Sequence, residues 1–339
     1  MSGELGVLII GAGRVSRAHA HAVRETPGTR LVAVADIALD RAEALAGEGA
    51  TAYVDYLQAL ERSDVQVVMI ALPHNLHESV TVRSLRAGKH VFVEKPMADT
   101  IEECDRMIDA ARLADRLLFV AHTQRYFAST IEAKRILQSG EIGRPIFATD
   151  TWYKAFGIET RPPWFLDRAQ GGGMWLMNGA HMIDRTCWVL DSDVESVKAW
   201  IGSPFHGISA DDANIALLRL RNGCHATIVH AGFRRGVDRC EVEVTCTGGM
   251  LLFDSYSNRL AVDEAGAYRS RPLTPVHPMS AELQNLVGAI RGEDVLGVTP
   301  EWGRHIVDVL LGCEESTRTG REVTIRSRGI LGPVGASRH

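Results

Sequence analysis

The sequence of 339 residues is poor in cysteine, has no excess of positive charge and contains no long apolar run. Its six cysteines (Cys104, Cys187, Cys224, Cys240, Cys246, Cys313) include no CxxC pair and no Cys/His spacing that would build a zinc site. They read as buried or incidental thiols in a reducing compartment, and no metal is expected. A formal net charge of -5 and a pI near 6.2 offer no surplus to neutralise a phosphate backbone, so nucleic acid is not an expected partner. No stretch approaches the roughly 18 apolar residues that a membrane helix needs. The start, MSGELGVLIIGAG, lacks the basic n-region of a signal peptide, which leads us to expect a cytoplasmic protein without a membrane partner. Repeats and low-complexity tracts are absent from the sequence as well.

What is present suits an ordinary globular protein: 45% hydrophobic and 23% charged residues. Single cores stop growing at about 250 to 300 residues, so two domains are expected. From Val7 to Ala121, short β-rich runs (GVLII, LVAVAD, VQVVMIAL, HVFVEK, LLFVA) alternate with helical segments. Runs apolar on both faces, with helices between them, predict a doubly wound parallel sheet of Rossmann type in an α/β protein. A capping box, Thr100 with Glu103, predicts the start of a helix over 101–114.

The first strand runs into Gly11-Ala12-Gly13-Arg14-Val15-Ser16, which is GxGxxG with serine at the third glycine. The second strand ends in Asp36, just over 20 residues on. An acidic side chain there accepts both hydrogen bonds of an adenosine ribose diol, and its charge repels a 2′-phosphate. The expected cofactor is therefore NAD rather than NADP.

Two further stretches narrow the family. The third strand is followed by LPHNLHESVTVRSLRAGKHVFVEKPMAD, and EIGRPIFATD opens the second half. With the glycine turn, these resemble the Gfo/Idh/MocA family, named for glucose-fructose oxidoreductase, inositol dehydrogenase and a rhizopine-catabolism protein. The resemblance covers nearly the whole chain, and AGKHVFVEKP is its most specific part. It implies a place for Lys95 between nicotinamide and substrate, and a strand end is where this fold puts its ligand crevice. As an ammonium, Lys95 would donate to the substrate oxygen that becomes carbonyl-like. Lys95-Pro96 is a candidate cis peptide. The cofactor-binding set expected on this reading is Gly11, Ala12, Gly13, Arg14, Val15, Asp36, Ile37, Leu72, Pro73, His74, His77, Glu94, Lys95 and Pro96.

From Pro145 the pattern changes to long alternating strands, with turn signals at Asn222-Gly223 and Gly248-Gly249. We expect an NAD-binding domain over 1–123, and over 124–339 an α+β domain for substrate binding and oligomerisation, built on a large, mostly antiparallel open sheet. One face of such a sheet is left for subunit contact. The resemblance implies a homodimer or homotetramer joined there. Thr299-Pro300-Glu301 starts a last long helix.

Residues 171–184 read GGGMWLMNGAHMID. The family has a motif close to GGGxLxDxGxHxxD, and Gly171, Gly172, Gly173, Gly179, His181 and Asp184 match it. The motif's first aspartate does not: its position is Met177. In relatives that carry the aspartate, it sits beside the histidine and the pair handles the proton of the hydroxyl being oxidised. His181 keeps the role of general base, Asn178 supplies a hydrogen bond without a negative charge, and Asp184 orients the histidine or caps a neighbour. Trp152, Tyr153, Phe156, Trp164, Phe165 and Trp175 crowd the region, with Lys154, Arg161, Asp167 and Arg168 as its polar members. Lys95, Asn178, His181, Trp152, Trp164, Arg161 and Met177 are the candidate substrate-binding residues, and Lys95 and His181 the catalytic ones.

The expected activity is NAD-dependent hydride transfer on a secondary hydroxyl or carbonyl of a sugar, cyclitol or modified sugar. Three alternatives stay open: the same chemistry on a cyclic diol or aromatic-derived acid, glycoside cleavage by transient oxidation, and a non-catalytic sensor of NADH.

Overall fold

A computed structural model describes residues 3–331. They divide into two compact units, one of 3–121 with Met279–Arg304, the other of His122–Pro278 with the chain from His305. The simple boundary near residue 123 therefore needs a correction: the chain returns to the first unit for Met279–Arg304. The outermost residues of the two expected domains, 1–2 and 332–339, lie outside the described residues.

The first unit holds β1 (Leu5–Ile10), α1 (Arg14–Glu25), β2 (Thr29–Ala35), α2 (Leu39–Ala46), β3 (Thr51–Tyr53), α3 (Tyr56–Leu60), β4 (Val67–Ile70), α4 (His77–Arg86), β5 (His90–Glu94), α5 (Ile101–Ala114) and β6 (Leu118–Ala121). The strands form a parallel sheet in the order β3-β2-β1-β4-β5-β6. Every residue of β1, β4 and β6 is buried. Unbroken apolar runs are what a sheet covered on both faces requires. The strand order reverses at β1 and β4, and such a switch point opens the crevice where doubly wound folds bind ligands. Thr100 and Glu103 form the expected capping box at α5.

In the second unit α6 (Ala128–Ser139) precedes β7 (Pro145–Ala155), and α7 (Ala180–Val189) follows a long connection. Then come β8 (Val194–Gly202), β9 (Ala213–Leu220), β10 (His225–Phe233), β11 (Arg239–Cys246), β12 (Gly249–Asp254), β13 (Arg259–Glu264) and β14 (Ala267–Ser270). Helix α8 (Pro278–Arg291) belongs almost wholly to the first unit. Helix α9 (Pro300–Thr319) begins there, with Thr299 Oγ1 accepting from Trp302 N at 3.1 Å, and belongs to the second unit from His305. It runs past Cys313, and β15 (Val323–Thr324) closes the order β14-β13-β12-β11-β7-β10-β9-β8-β15. All pairs are antiparallel except β7 with β10. On β9 buried and exposed residues alternate, so Ile215 and Leu217 stand on an open face with Ile146, Phe147 and Trp200. Among the described residues no helix is long and apolar enough to cross a membrane.

Candidate active site

At the end of β1 the backbone of Gly11 takes φ +94°, a left-handed value, and an added Cβ would strike the Ala71 carbonyl. Gly13 caps α1 in an extended conformation, and a Cβ there would meet nothing within 4 Å. The turn thus bends tightly against β4 and leaves open space at the start of α1, as a cofactor pyrophosphate at a helix N-terminus requires. Asp36 is drawn to this turn: Ala12 N donates to its Oδ2 at 2.8 Å, and Ala38 N and Arg41 donate to its Oδ1 at 2.9 and 2.7 Å. Partial burial alone would raise its pKa, yet these three donors hold the carboxyl below its ordinary value. A cavity of about 590 Å³ opens beside it, lined by Ala12, Arg17, Arg24, Asp40, Arg41 and Gly47 among others. The residues present fit the dinucleotide.

The Lys95-Pro96 peptide is cis and Lys95 is buried. Its neighbours fix it from two sides. Glu94 accepts from Lys95 N at 3.2 Å and pairs with His19 Nε2 at 2.7 Å, which ties the end of β5 to α1. His77 bridges the two loops, with Nδ1 2.9 Å from the Pro96 carbonyl and Nε2 3.0 Å from that of Leu72. Burial pushes the His77 pKa down, and the two carbonyls and Glu94 oppose it. His74 lies edge-on to His77 at 5.6 Å. His77 thus bonds Leu72 to Pro96, with His74 against its ring and Glu94 on the Lys95 backbone, whereas Ile37 points into solvent.

In the second unit Gly172 and Gly173 face protein rather than open space. A Cβ on Gly172 would lie 2.5 Å from the carbonyl oxygens of Phe165 and Trp164, and one on Gly173 (φ +111°) would strike Asp211. The chain then makes a π-helical turn over Trp175–Gly179 before α7, where a regular helix was expected. Asp211 holds that turn, accepting Trp175 N at 2.9 and 3.1 Å, and desolvation pushes its pKa up to about 7. Such turns occur often at functional sites.

Between residues 171 and 190 every residue is buried except Met177 and His181, four apart. Met177 packs against the core group of Phe156, Phe165 and Met174, beside Trp164. Arg161 caps that group, 4.4 Å from the Phe165 ring, and donates to the Phe156 carbonyl. Trp152 is the platform on which the polar residues meet. The rings of His181, His230 and Tyr256 lie 6.5, 5.7 and 5.1 Å from it, and Lys154 Nζ is 5.3 Å away. Asn178 is buried, with Nδ2 3.1 Å from His230 Nε2.

Other expected residues do structural work. Trp175 is fully buried and donates to the Leu310 carbonyl, Arg168 pairs with Glu314, and Asp167 caps a short turn through Ala169 N. Asp184 of α7 is gripped by Arg125 at 2.8 Å, with His122 Nδ1 3.7 Å away. Next to it Arg185 donates to Asp150 and to Gln124. His230, Asn214 and Tyr256 were not expected in the site. One signal was legible for His230: in HATIVHAGF it falls in the inward set with Ala226 and Ile228, a polar residue in an apolar alternation.

Residues 5–122 match the family described as "Oxidoreductase family, NAD-binding Rossmann fold", and residues 130–252 match the GFO/IDH/MocA C-terminal domain. The chain belongs to the Gfo/Idh/MocA family. It is 32% identical to inositol 2-dehydrogenase 4 of Saccharopolyspora erythraea over 98% of its own residues and 96% of that protein. It spans about half the length of some other relatives. One is 1-carboxy-3-chloro-3,4-dihydroxycyclohexa-1,5-diene dehydrogenase of Comamonas testosteroni, 32% identical over 54% of this chain and 46% of that one. Among solved structures it is similar to aldose-aldose oxidoreductase from Caulobacter crescentus, with TM-score 0.86 and 25% identity over 95% of this chain and 99% of that one. The first unit is the family's NAD-binding Rossmann domain.

Proposed function

We propose that the protein oxidises a secondary hydroxyl on a ring, that of a sugar, cyclitol or modified sugar, with NAD, or reduces the corresponding carbonyl. Oxidation removes a hydride from carbon and a proton from oxygen. Bound NAD supplies the hydride acceptor, and the protein supplies proton handling and orientation. His181 takes the hydroxyl proton as general base. Lys95 donates a hydrogen bond to the same oxygen, an interaction that strengthens as the oxygen becomes carbonyl-like. The observation that carries this reading is the exposure pattern of 171–190, where a buried stretch opens only at Met177 and His181, beside Trp152.

A second substrate class, a cyclic diol or aromatic-derived ring acid, is favoured by the apolar group around Met177. The names of the relatives from Saccharopolyspora and Comamonas span both classes. Incubation with NAD and a panel of myo-inositol, aldoses, anhydrosugars and cyclohexadiene diols, followed at the NADH absorbance, separates them. Failure of every ring alcohol to reduce NAD would remove the reading. We further infer a homodimer or homotetramer formed through the open face carrying Ile146, Phe147, Trp200, Ile215 and Leu217, apolar side chains of the kind that interfaces cover. Dissociation by Leu217→Lys in sedimentation tests it.

A further inference from the structure

His230 is buried at the centre of the second unit, yet no role in hydride transfer has been given to it. Its two ring nitrogens face two amides: Nε2 lies 3.1 Å from Asn178 Nδ2, and Nδ1 lies 3.4 Å from Asn214 Nδ2. Asn178 stands on the π-helical turn three residues before His181, and the rings of His181 and His230 flank the same Trp152. We propose that His230 is a positioning residue: it fixes the amide of Asn178 beside His181, where that amide takes the place of the carboxylate absent at Met177. This rests on the reading of His181 as the base.

The chemistry of the ring decides how the amides point. Desolvation, with positive charge from Lys154, Arg185 and Arg161, pushes the His230 pKa down to about 3. A neutral imidazole has one N–H and one lone pair, so it cannot accept from two amide nitrogens at once. Amide oxygen and nitrogen are interchangeable by a half turn, and the bonding network settles which is where. Asn214 also supports the Asp211 carboxylate, which needs a donor, so its NH₂ end faces inward and His230 Nδ1 is the acceptor. His230 Nε2–H then donates to Asn178 Oδ1. That turns the NH₂ of Asn178 away from His230, and on this proposal the positive end of its dipole, three residues before His181, opposes protonation of the base. The chain Asp211–Asn214–His230–Asn178 thus links the carboxylate that pins the π-helical turn to the group beside His181.

The test needs no knowledge of the substrate. Protein carrying ¹³C-histidine and saturated with NADH is titrated by NMR, with His181→Ala and His230→Leu assigning the two rings. Wild-type His230 should stay neutral in the Nε2–H tautomer throughout. Asn178→Ala and His230→Leu should each raise the His181 midpoint by about half a pH unit, or about threefold in its protonation constant, and the double variant should match either single one. An unmoved midpoint in either single variant, or shifts that add in the double, would overturn the proposal. If His230→Leu no longer binds NADH, His230→Gln takes its place. Its amide retains a donor for Asn178, so the midpoint should return to the wild-type value, and a midpoint displaced as in Asn178→Ala would overturn the proposal. A protein inert to every ring alcohol whose midpoint moves as expected loses the proposed function and keeps the positioning role. Activity lost with His181→Ala but a midpoint that ignores His230 gives the reverse.

Discussion

Gly11 to Gly13 after β1 and Gly171 to Gly173 before α7 look alike in the sequence, each a cluster of small residues leading into a helix. In the first, one glycine bends against the Ala71 carbonyl and the next faces open space. In the second, protein fills the space: three carbonyl oxygens stand within 2.6 Å of where a Gly172 Cβ would be, and Asp211 closes on Gly173. The first turn makes room for a ligand. The second draws the chain so tightly against the loop at 164–167 and Asp211 that the helix begins with a π-helical turn. Glycine composition does not distinguish these uses, because the difference lies in what the rest of the chain brings to each turn.

If the second turn exists to present His181, the largest effects come from the residues presented. His181→Ala should lower kcat by about 10²- to 10⁴-fold, the range for loss of a general base. Lys95→Ala should lower kcat by a comparable factor while NADH affinity stays within about threefold, because its hydrogen bond grows only as the oxygen becomes carbonyl-like. Loss of NADH binding with kcat preserved would make Lys95 a cofactor residue instead.

The glycines themselves come next. Gly172→Ala should destabilise the protein by about 3 kcal/mol or prevent folding, since backbone carbonyls cannot move aside. Gly13→Ala should cost under about 1 kcal/mol of stability, the scale of an altered N-cap, while weakening NADH binding tenfold or more. Urea melts and NADH fluorescence read the two quantities separately. Equal stability losses at both turns would erase the distinction drawn between them.

Acid stability offers a third contrast. His230 and His305, pushed down to about 3 and about 4 by burial, are neutral in the folded state. Below the unfolded histidine value of about 6.5 the unfolded chain binds protons that the folded chain refuses, so stability falls as pH drops, by about 1.4 kcal/mol per unit per group. Asp211 runs the other way: raised to about 7, it takes a proton in the folded state first, so stability rises as pH falls from 7 toward 4. With His77 and His90 also held below the ordinary histidine value by burial, the histidine losses outnumber the gains at Asp211 and Asp150, which predicts net weakening from pH 6.5 to 5. Among single variants His305→Gln should flatten that slope, and an unchanged slope in urea melts would mean that burial does not hold His305 neutral where Val194 N donates to its Nε2.

The first unit was legible in the sequence because its signals are local. Apolar runs, the capping box at Thr100, the glycine turn and Asp36 each act within a few residues of where they stand or at a fixed strand spacing. The second unit was legible as alternating strands and in the stretch 171–184, but the pairings that hold its buried residues were not. Asn178 finds His230 from 52 residues away, and Asp211 reaches back 36 to Trp175. No spacing rule anticipates such pairings, and the same distance in sequence hid the return of Met279–Arg304 to the first unit. Cofactor choice tests the legible side: NADH should bind at least tenfold more tightly than NADPH, about 1.4 kcal/mol, and Asp36→Ala should narrow the gap. Equal affinity in the wild type would show that Arg41, paired with Asp36 at 2.7 Å, answers the phosphate instead.

The smallest expected effect falls on Met177, where this chain leaves its family's pattern. A carboxylate beside an imidazole stabilises the protonated ring, so Met177→Asp should move the acidic limb of kcat/KM to higher pH. The surroundings limit the shift. Met177 leans on Phe156, Phe165 and Met174, and desolvation there raises the new carboxyl's own pKa, so its charge develops late and the limb should move by about half a unit. Loss of methionine packing should also cost about 1 kcal/mol of stability, read in the same variant by urea. Position 177 is four residues before His181 and is the only other partly exposed residue of 171–190, so an introduced charge has no nearer member of that stretch to act on. A limb that stayed in place, in a variant that still bound NADH, would mean that His181 does not set it, and proton transfer would then fall to Lys95.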